Sequence, residues 1–163
     1  MDWLPDVQTT QGGIKMALAN MTQQQTDDYN RNHCKEIADT LEAITEGLLY
    51  KCPDCGEFVA NDQQFCGCGK QVDLIGYDYS EPWENVSFSD YFEDMLDINY
   101  ITDARKNYVA CRILVAWGGP NIYVNTWDGK VELRWWTDRA EFWISRDTCD
   151  AIDEWAEEYF NCL

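Results

Sequence analysis

Histidine is nearly missing from this sequence: it occurs once, at His33, among 163 residues. Acid–base centres of the Ser-His-Asp or Cys-His kind need an imidazole beside the nucleophile. His33 falls in a different predicted element from every plausible nucleophile, so such a centre is not expected. Phosphate-cradling loops are missing too. Neither a Walker A pattern nor a dinucleotide fingerprint occurs, and Gly118-Gly119-Pro120 reads as a turn that ends a strand. No window approaches the roughly 18 consecutive apolar residues of a membrane span. The opening stretch MDWLPDVQTTQGGIKM lacks the basic and apolar regions of an export signal. A reducing cytosol is therefore the expected compartment, where cysteines stay free or bind metal.

Basic residues are also scarce, with 12 Lys or Arg against 30 Asp or Glu and a net charge of −18. Residues 71–104 hold nine acids and no base, and residues 147–163 hold six acids and no base. Such surfaces repel phosphate backbones, which disfavours direct nucleic-acid binding unless the seven basic residues between Arg105 and Arg146 gather on one face. A basic protein partner fits better. The competing reading is that the acid only keeps the protein in solution.

Present in quantity are aromatics and cysteine. Hydrophobic residues make up 45% and aromatics 14%, including eight Trp and nine Tyr, enough apolar surface for a packed core. Four of the eight cysteines, Cys52, Cys55, Cys66 and Cys68, fall within seventeen residues, in KCPDCGEFVANDQQFCGCGK. Cys-x₂-Cys presents two sulfurs on one turn, and four thiolates make a closed tetrahedral site for structural Zn²⁺ with no position left for a catalytic water. The second pair has one residue between its thiols, and Gly67 permits that tighter bite. The run resembles a short zinc ribbon of the kind found in bacterial and phage proteins. His33-Cys34 is a substitute pair should the Cys-x-Cys geometry fail; otherwise Cys34 reads as a small core residue and His33 as a surface one. Cys111, Cys149 and Cys162 lack metal spacing and read as small buried residues.

Along the chain, residues 1–25 have no sustained period and are expected to form a flexible arm. Residues 26–50 read as an amphipathic helix with Cys34, Ile37, Leu41, Ile44 and Leu48 inward and Lys35, Glu36, Asp39, Glu42 and Glu46 outward. The ribbon occupies 51–72, and 73–163 reads as an acidic α+β domain. Within it, Ser87 or Ser89 is expected to cap a short helix near Asp90–Leu96. YVACRILVAW, NIYVNTW, KVELRWW and AEFWIS alternate as strands, with turns at Gly118-Gly119-Pro120, Asp128-Gly129 and Thr137-Asp138-Arg139. The fold class is thus α+β: an N-terminal amphipathic helix, the Cys₄ insert, and an antiparallel meander of three to four strands covered by a C-terminal helix. Asp147 is the expected N-cap of that helix, with Cys149, Ile152, Ala156 and Tyr159 buried and Asp150, Asp153, Glu154, Glu157 and Glu158 outward as an acidic ridge.

Trp117, Tyr123, Trp127, Trp135, Trp136, Phe142 and Trp143 fall on predicted strands. Adjacent strand residues point to opposite sheet faces, so one of Trp135 and Trp136 leaves the helix-covered face, to pack under the acidic segment or to form a binding surface. Asp128 with Glu132-Leu133-Arg134 is the best enzymatic pattern, a loose likeness to the acidic ligands of metal-dependent nucleases. It lacks the expected lysine.

The stretch GGPNIYVNTWDGKVELRWWTDRAEFWISRDTCDAIDEWAEEYFN, within residues 86–163, resembles small uncharacterised proteins of phages and conjugative elements of gut bacteria. That resemblance imports no catalytic residue. It implies a mobile-element setting, in which small acidic proteins act as anti-restriction or anti-CRISPR factors by placing carboxylates where phosphates would bind. The sequence reading is accordingly a non-enzymatic interaction protein, cytoplasmic in a bacterial host, that inhibits a basic nucleic-acid-binding defence protein. Its expected contact residues are Asp90, Glu93, Asp94, Asp97, Asp150, Asp153, Glu154, Glu157 and Glu158. The alternatives are a zinc-ribbon nucleic-acid or transcription accessory protein, with Lys51, Lys70, Arg105, Lys106, Arg112 and Arg134 as its basic patch, and a metal-dependent nuclease.

Overall fold

The computed structural model describes residues 22–72, 83–117 and 119–162; most of the expected arm lies outside these. Helix α1, Gln23–Thr45, starts earlier than the apolar period indicates, because Thr22 and Gln25 close a capping box. It ends where Gly47 takes φ 68°, and bonds from Leu48 N–H to Ala43 O and from Gly47 N–H to Ile44 O complete a Schellman motif. Leu48 and Tyr50, expected in the helix, therefore lie beyond it. The chain turns at once into β1, Leu49–Lys51, which pairs antiparallel with β2, Phe58–Ala60, and with β3, Glu84–Asn85.

Ser87 then caps α2, Phe88–Tyr91, in a capping box with Asp90. A single turn forms here, and Leu96 is exposed beyond it. Five strands follow as a meander in the order β4-β5-β6-β7-β8: Asp97–Thr102, Tyr108–Ala116, Asn121–Asn125, Lys130–Trp135 and Asp138–Trp143. One strand more is present than the expected three or four. Strand β4 alternates Ile98 and Tyr100 with Asp97 and Asn99, but Asp and Asn are poor strand formers and hid it. The β6–β7 connection holds four residues, Thr126–Gly129, since Asn125 pairs with Lys130.

Helix α3, Arg146–Phe160, is capped by Ser145, not by Asp147, which lies in the first turn. Its buried stripe is Thr148, Cys149, Ile152 and Ala156, and Tyr159 stays exposed. Helix α1 packs on β7 and β8, and α3 packs on β5. Register then sorts the sheet residues. Cys111, Ile113, Ile122, Val124, Val131 and Leu133 face the helices and are buried with Cys34, Ala38, Leu41, Ile44, Cys149 and Ile152 in one core. Cys162 is exposed, unlike Cys111 and Cys149. The other face, open of helices, carries Asn99, Arg112, Tyr123, Glu132, Arg134, Arg139, Glu141 and Trp143. A second, smaller core joins Cys52, Val59 and Cys66, with Val72 and Trp83 against it. Among the described residues no helix is long and apolar enough to cross a membrane.

Candidate metal centre and charged surfaces

Strands β1 and β2 deliver the first cysteine pair. Cys52 N–H bonds to Glu57 O and Gly56 N–H to Cys52 O, both at 2.8 Å, closing the turn that carries Cys52 and Cys55. Gly56 adopts φ 77° at that turn. The second turn is closed by Cys66 N–H to Lys70 O at 2.9 Å and Gly69 N–H to Cys66 O at 2.8 Å. Together they bring all four sulfurs within 4.8 Å of one another. Cys55 and Cys66 lie 3.4 Å apart and Cys52 and Cys68 3.8 Å, too far for disulfides at about 2.05 Å. A tetrahedral ion with metal–sulfur bonds of about 2.3 Å would set its sulfurs about 3.8 Å apart. The donor set fits a four-coordinate metal, and these four cysteines are the residues that could hold it. Burial raises Cys52, but amide N–H groups of Cys55 and Asp54 outweigh it and bring the thiol down to about 7. Cys66 is pushed upward, first by burial, which a bound cation would reverse.

The acidic residues divide. Asp90 is committed internally: its carboxylate accepts from Ser87 and from Lys51 Nζ, the latter at 2.9 Å. Asp153 does not face outward with the ridge. It accepts from Tyr108 Oη and Thr126 Oγ1, each at 2.6 Å, at the seam of α3 and the sheet. Glu93, Asp94, Asp97, Asp150, Glu154, Glu157 and Glu158 are exposed. Asp150 pairs with Arg146, and Asp97 lies apart on edge strand β4. Glu93 and Asp94 directly follow Phe92, through which the α2 segment packs against α3. Phe92 stacks on Trp155 at 5.1 Å, and Trp155 Nε1 donates to Ser89 Oγ at 3.0 Å. Among the described residues none of Glu93, Asp94, Glu154, Glu157 and Glu158 has an ion-pair partner.

The basic residues scatter differently from the expected patch. Lys51 pairs with Asp90 and Lys70 with Asp54, while Arg105 and Lys106 sit in the β4–β5 turn. Four of the seven basic residues between Arg105 and Arg146 instead share the open sheet face: Arg112, Lys130, Arg134 and Arg139. At its centre Glu132, only 5% exposed, accepts from Arg134 at 2.8 Å, Asn125 at 3.2 Å and Arg112 at 3.4 Å, with Lys130 at 3.6 Å. Burial raises its carboxyl, but those cationic and amide donors prevail and hold it low. Arg112 also lies 3.7 Å over the Tyr123 ring. Asp128, its companion in the nuclease-like pattern, accepts from Asn125 at 2.9 Å; both carboxylates serve the hairpin.

Around that face stand exposed tryptophans, Trp117, Trp127, Trp136 and Trp143, while Trp135 packs against the core. Trp117, Trp127 and Trp136 fall in turns just past the strand ends, not on strands. Sequence reasoning missed that Trp117 and Trp136 line one cleft with Arg134, although strand alternation and turn position carry the signal; Trp127 stands at the other end of the sheet. No family model, curated protein or solved structure matches this chain.

Proposed function

We propose that the chain is a non-enzymatic interaction protein of a mobile element, which acts in the bacterial host cytosol by occupying the basic nucleic-acid-binding surface of a defence protein. The observation that carries this reading is the exposed face of α3, where Glu154, Glu157 and Glu158 have no ion-pair partner among the described residues, with Glu93 and Asp94 likewise exposed just after Phe92, which packs on Trp155 of that helix. Helical neighbours three and four apart lie about 5–6 Å from each other, so the α3 carboxylates form a dense row that a series of lysines or arginines can engage. Asp150 extends the row once Arg146 yields it. Asp90 and Asp153 hold the ridge in place. The Cys₄ site is read as structural Zn²⁺, which four soft ligands favour, and it makes the segment before α2 rigid.

The test is competition. An identified host partner should lose nucleic-acid binding when this protein is added, and the complex should weaken at least about tenfold as salt rises from low to high. Neutralising all five carboxylates (Glu→Gln, Asp→Asn) should abolish it. An affinity indifferent to both salt and neutralisation would sink the reading.

A further inference from the structure

Apart from that ridge, at the end of the sheet just past β5 and β7, we propose that the cleft between Trp117 and Trp136 binds a nucleotide unit, its base stacked on indole and its phosphate held by Arg134 and Arg139. The cleft, about 430 Å³, is lined by Trp117, Gly119, Asn121, Arg134, Trp135 and Trp136. Trp117 follows β5 and Trp136 follows β7, strands that lie two spacings, or about 10 Å, apart. At that spacing the two indoles flank the cleft, and either one can stack on a planar ring. Trp136 is 93% exposed and sits at φ 54° in a two-residue turn. A bulky side chain at positive φ is a backbone outlier, and glycine is the residue such a turn ordinarily favours. Neither packing nor turn geometry calls for tryptophan here. A planar ligand does, since strained and exposed residues of this kind concentrate at ligand sites.

The polar lining points to the rest of the ligand. Arg139 stands outside the lining but directly across from Arg134 in the β7–β8 pairing, a second positive charge beside it. Arg134 gives only Nη2 to Glu132, so other donors of its five-donor fork are free for phosphate oxygens. Asn121, opposite Arg134, offers both a donor and an acceptor to a base edge. Length is limited by charge. The next row of the open face holds Asp97, Glu132 and Glu141, in a chain of net charge −18, which opposes a long polyanion. The occupant is therefore one nucleoside monophosphate, free or at the end of a single strand.

The full-length protein should be titrated with AMP, GMP, CMP and UMP while the indole N–H resonances are followed by NMR, with ribose 5-phosphate and a 5′-phosphorylated trinucleotide as separate arms. Resonances of Trp117 and Trp136 should shift with at least one nucleotide, and ribose 5-phosphate should bind at least about tenfold more weakly, because it lacks the stacking ring. Trp136→Gly should lose at least about tenfold in affinity with thermal stability unchanged or raised, which separates ligand contact from folding. Arg139→Gln should weaken nucleotides but not the matching nucleosides. A trinucleotide that binds more tightly than the mononucleotide assigns the ligand to a strand end; equal or weaker binding assigns a free nucleotide. No shift with any nucleotide at ~10 mM, equal binding of ribose 5-phosphate, or full binding by Trp136→Gly would each overturn the proposal.

Discussion

Asp90 closes the capping box of α2 and anchors Lys51 of β1 with one carboxylate. Hydrogen bonds from Ser87 come first, then Lys51, and together they lower its pKa from 3.8 to about 2. A carboxyl depressed in the folded state adds stability above its unfolded pKa and loses it as pH falls through the folded value. The Asp90 contribution should therefore be intact near neutrality and disappear between pH 3.8 and about 2. After solvent screening it amounts to about 1 kcal/mol. Chemical denaturation of Asp90→Asn against the parent at pH 6 and pH 2 checks this: the difference should be present at pH 6 and close to nil at pH 2. The same residue shows what a one-dimensional reading loses. Counting carboxylates marked Asp90 and Asp153 as contact residues, because composition records charge but not the donors that arrive from distant strands. The four cysteines were readable because their partners are close in sequence and a metal demands sulfur at that spacing.

The two long helices are fastened to each other by Glu42 of α1, which accepts from Ser145 Oγ at 2.8 Å and Thr148 Oγ1 at 2.7 Å, and from the Ser145 amide. Those groups are the N-terminus of α3, where a negative charge also meets the helix dipole. Burial raises the Glu42 carboxyl, yet the donations from Thr148 and Ser145 together bring it down. Ser145→Ala should cost about 1–2 kcal/mol by removing the cap. Glu42→Gln should cost less alone, and a double-mutant cycle in urea should return a coupling of at least about 0.5 kcal/mol. Additive losses would mean that the two helices are held independently. Element by element, β5 to β8 and α3 were readable because apolar residues alternate or recur along them. The start of α1 was encoded in Thr22-Gln23-Gln24-Gln25, a capping box without an apolar neighbour to draw attention to it. Glu42, placed outward by helical period alone, became a tether because α3 supplies donors that the period of α1 does not reveal.

Two cores of unequal size organise the protein. The larger joins α1, α3 and the five-stranded sheet, while the smaller rests on Cys52, Val59 and Cys66. Four thiols at these distances could hold a metal ion in the smaller one, and a cation between them would relieve their repulsion once ionised. Protein purified without added metal should contain about one equivalent of zinc, and less than about half would count against a tight site. Chelation should remove hydrogen-exchange protection from residues 51–72 while β5, β6 and β7 stay protected. Simultaneous loss in both would show that the metal governs the larger core as well. The charge distribution emerges only at this level, since no linear stretch announces that the exposed acids of α3 stand on the helix side while Arg112, Lys130, Arg134 and Arg139 share the other face of the sheet.

The pairing of β1 with β3 has a topological consequence. Tyr50 faces Asn85 and Lys51 faces Glu84, so the chain leaves the larger core and re-enters it at a single hydrogen-bonded ladder. The segment between Lys51 and Glu84 thus has its two ends paired, and closure entropy depends only weakly on the length of such a loop. A two-residue hairpin turn between Lys51 and Glu84 would give a shorter chain that keeps the large sheet, the α3 acids and the tryptophan cleft while discarding Cys52, Cys55, Cys66 and Cys68. The Cys₄ segment is thus tied to the rest of the fold where its flanking strands β1 and β3 pair.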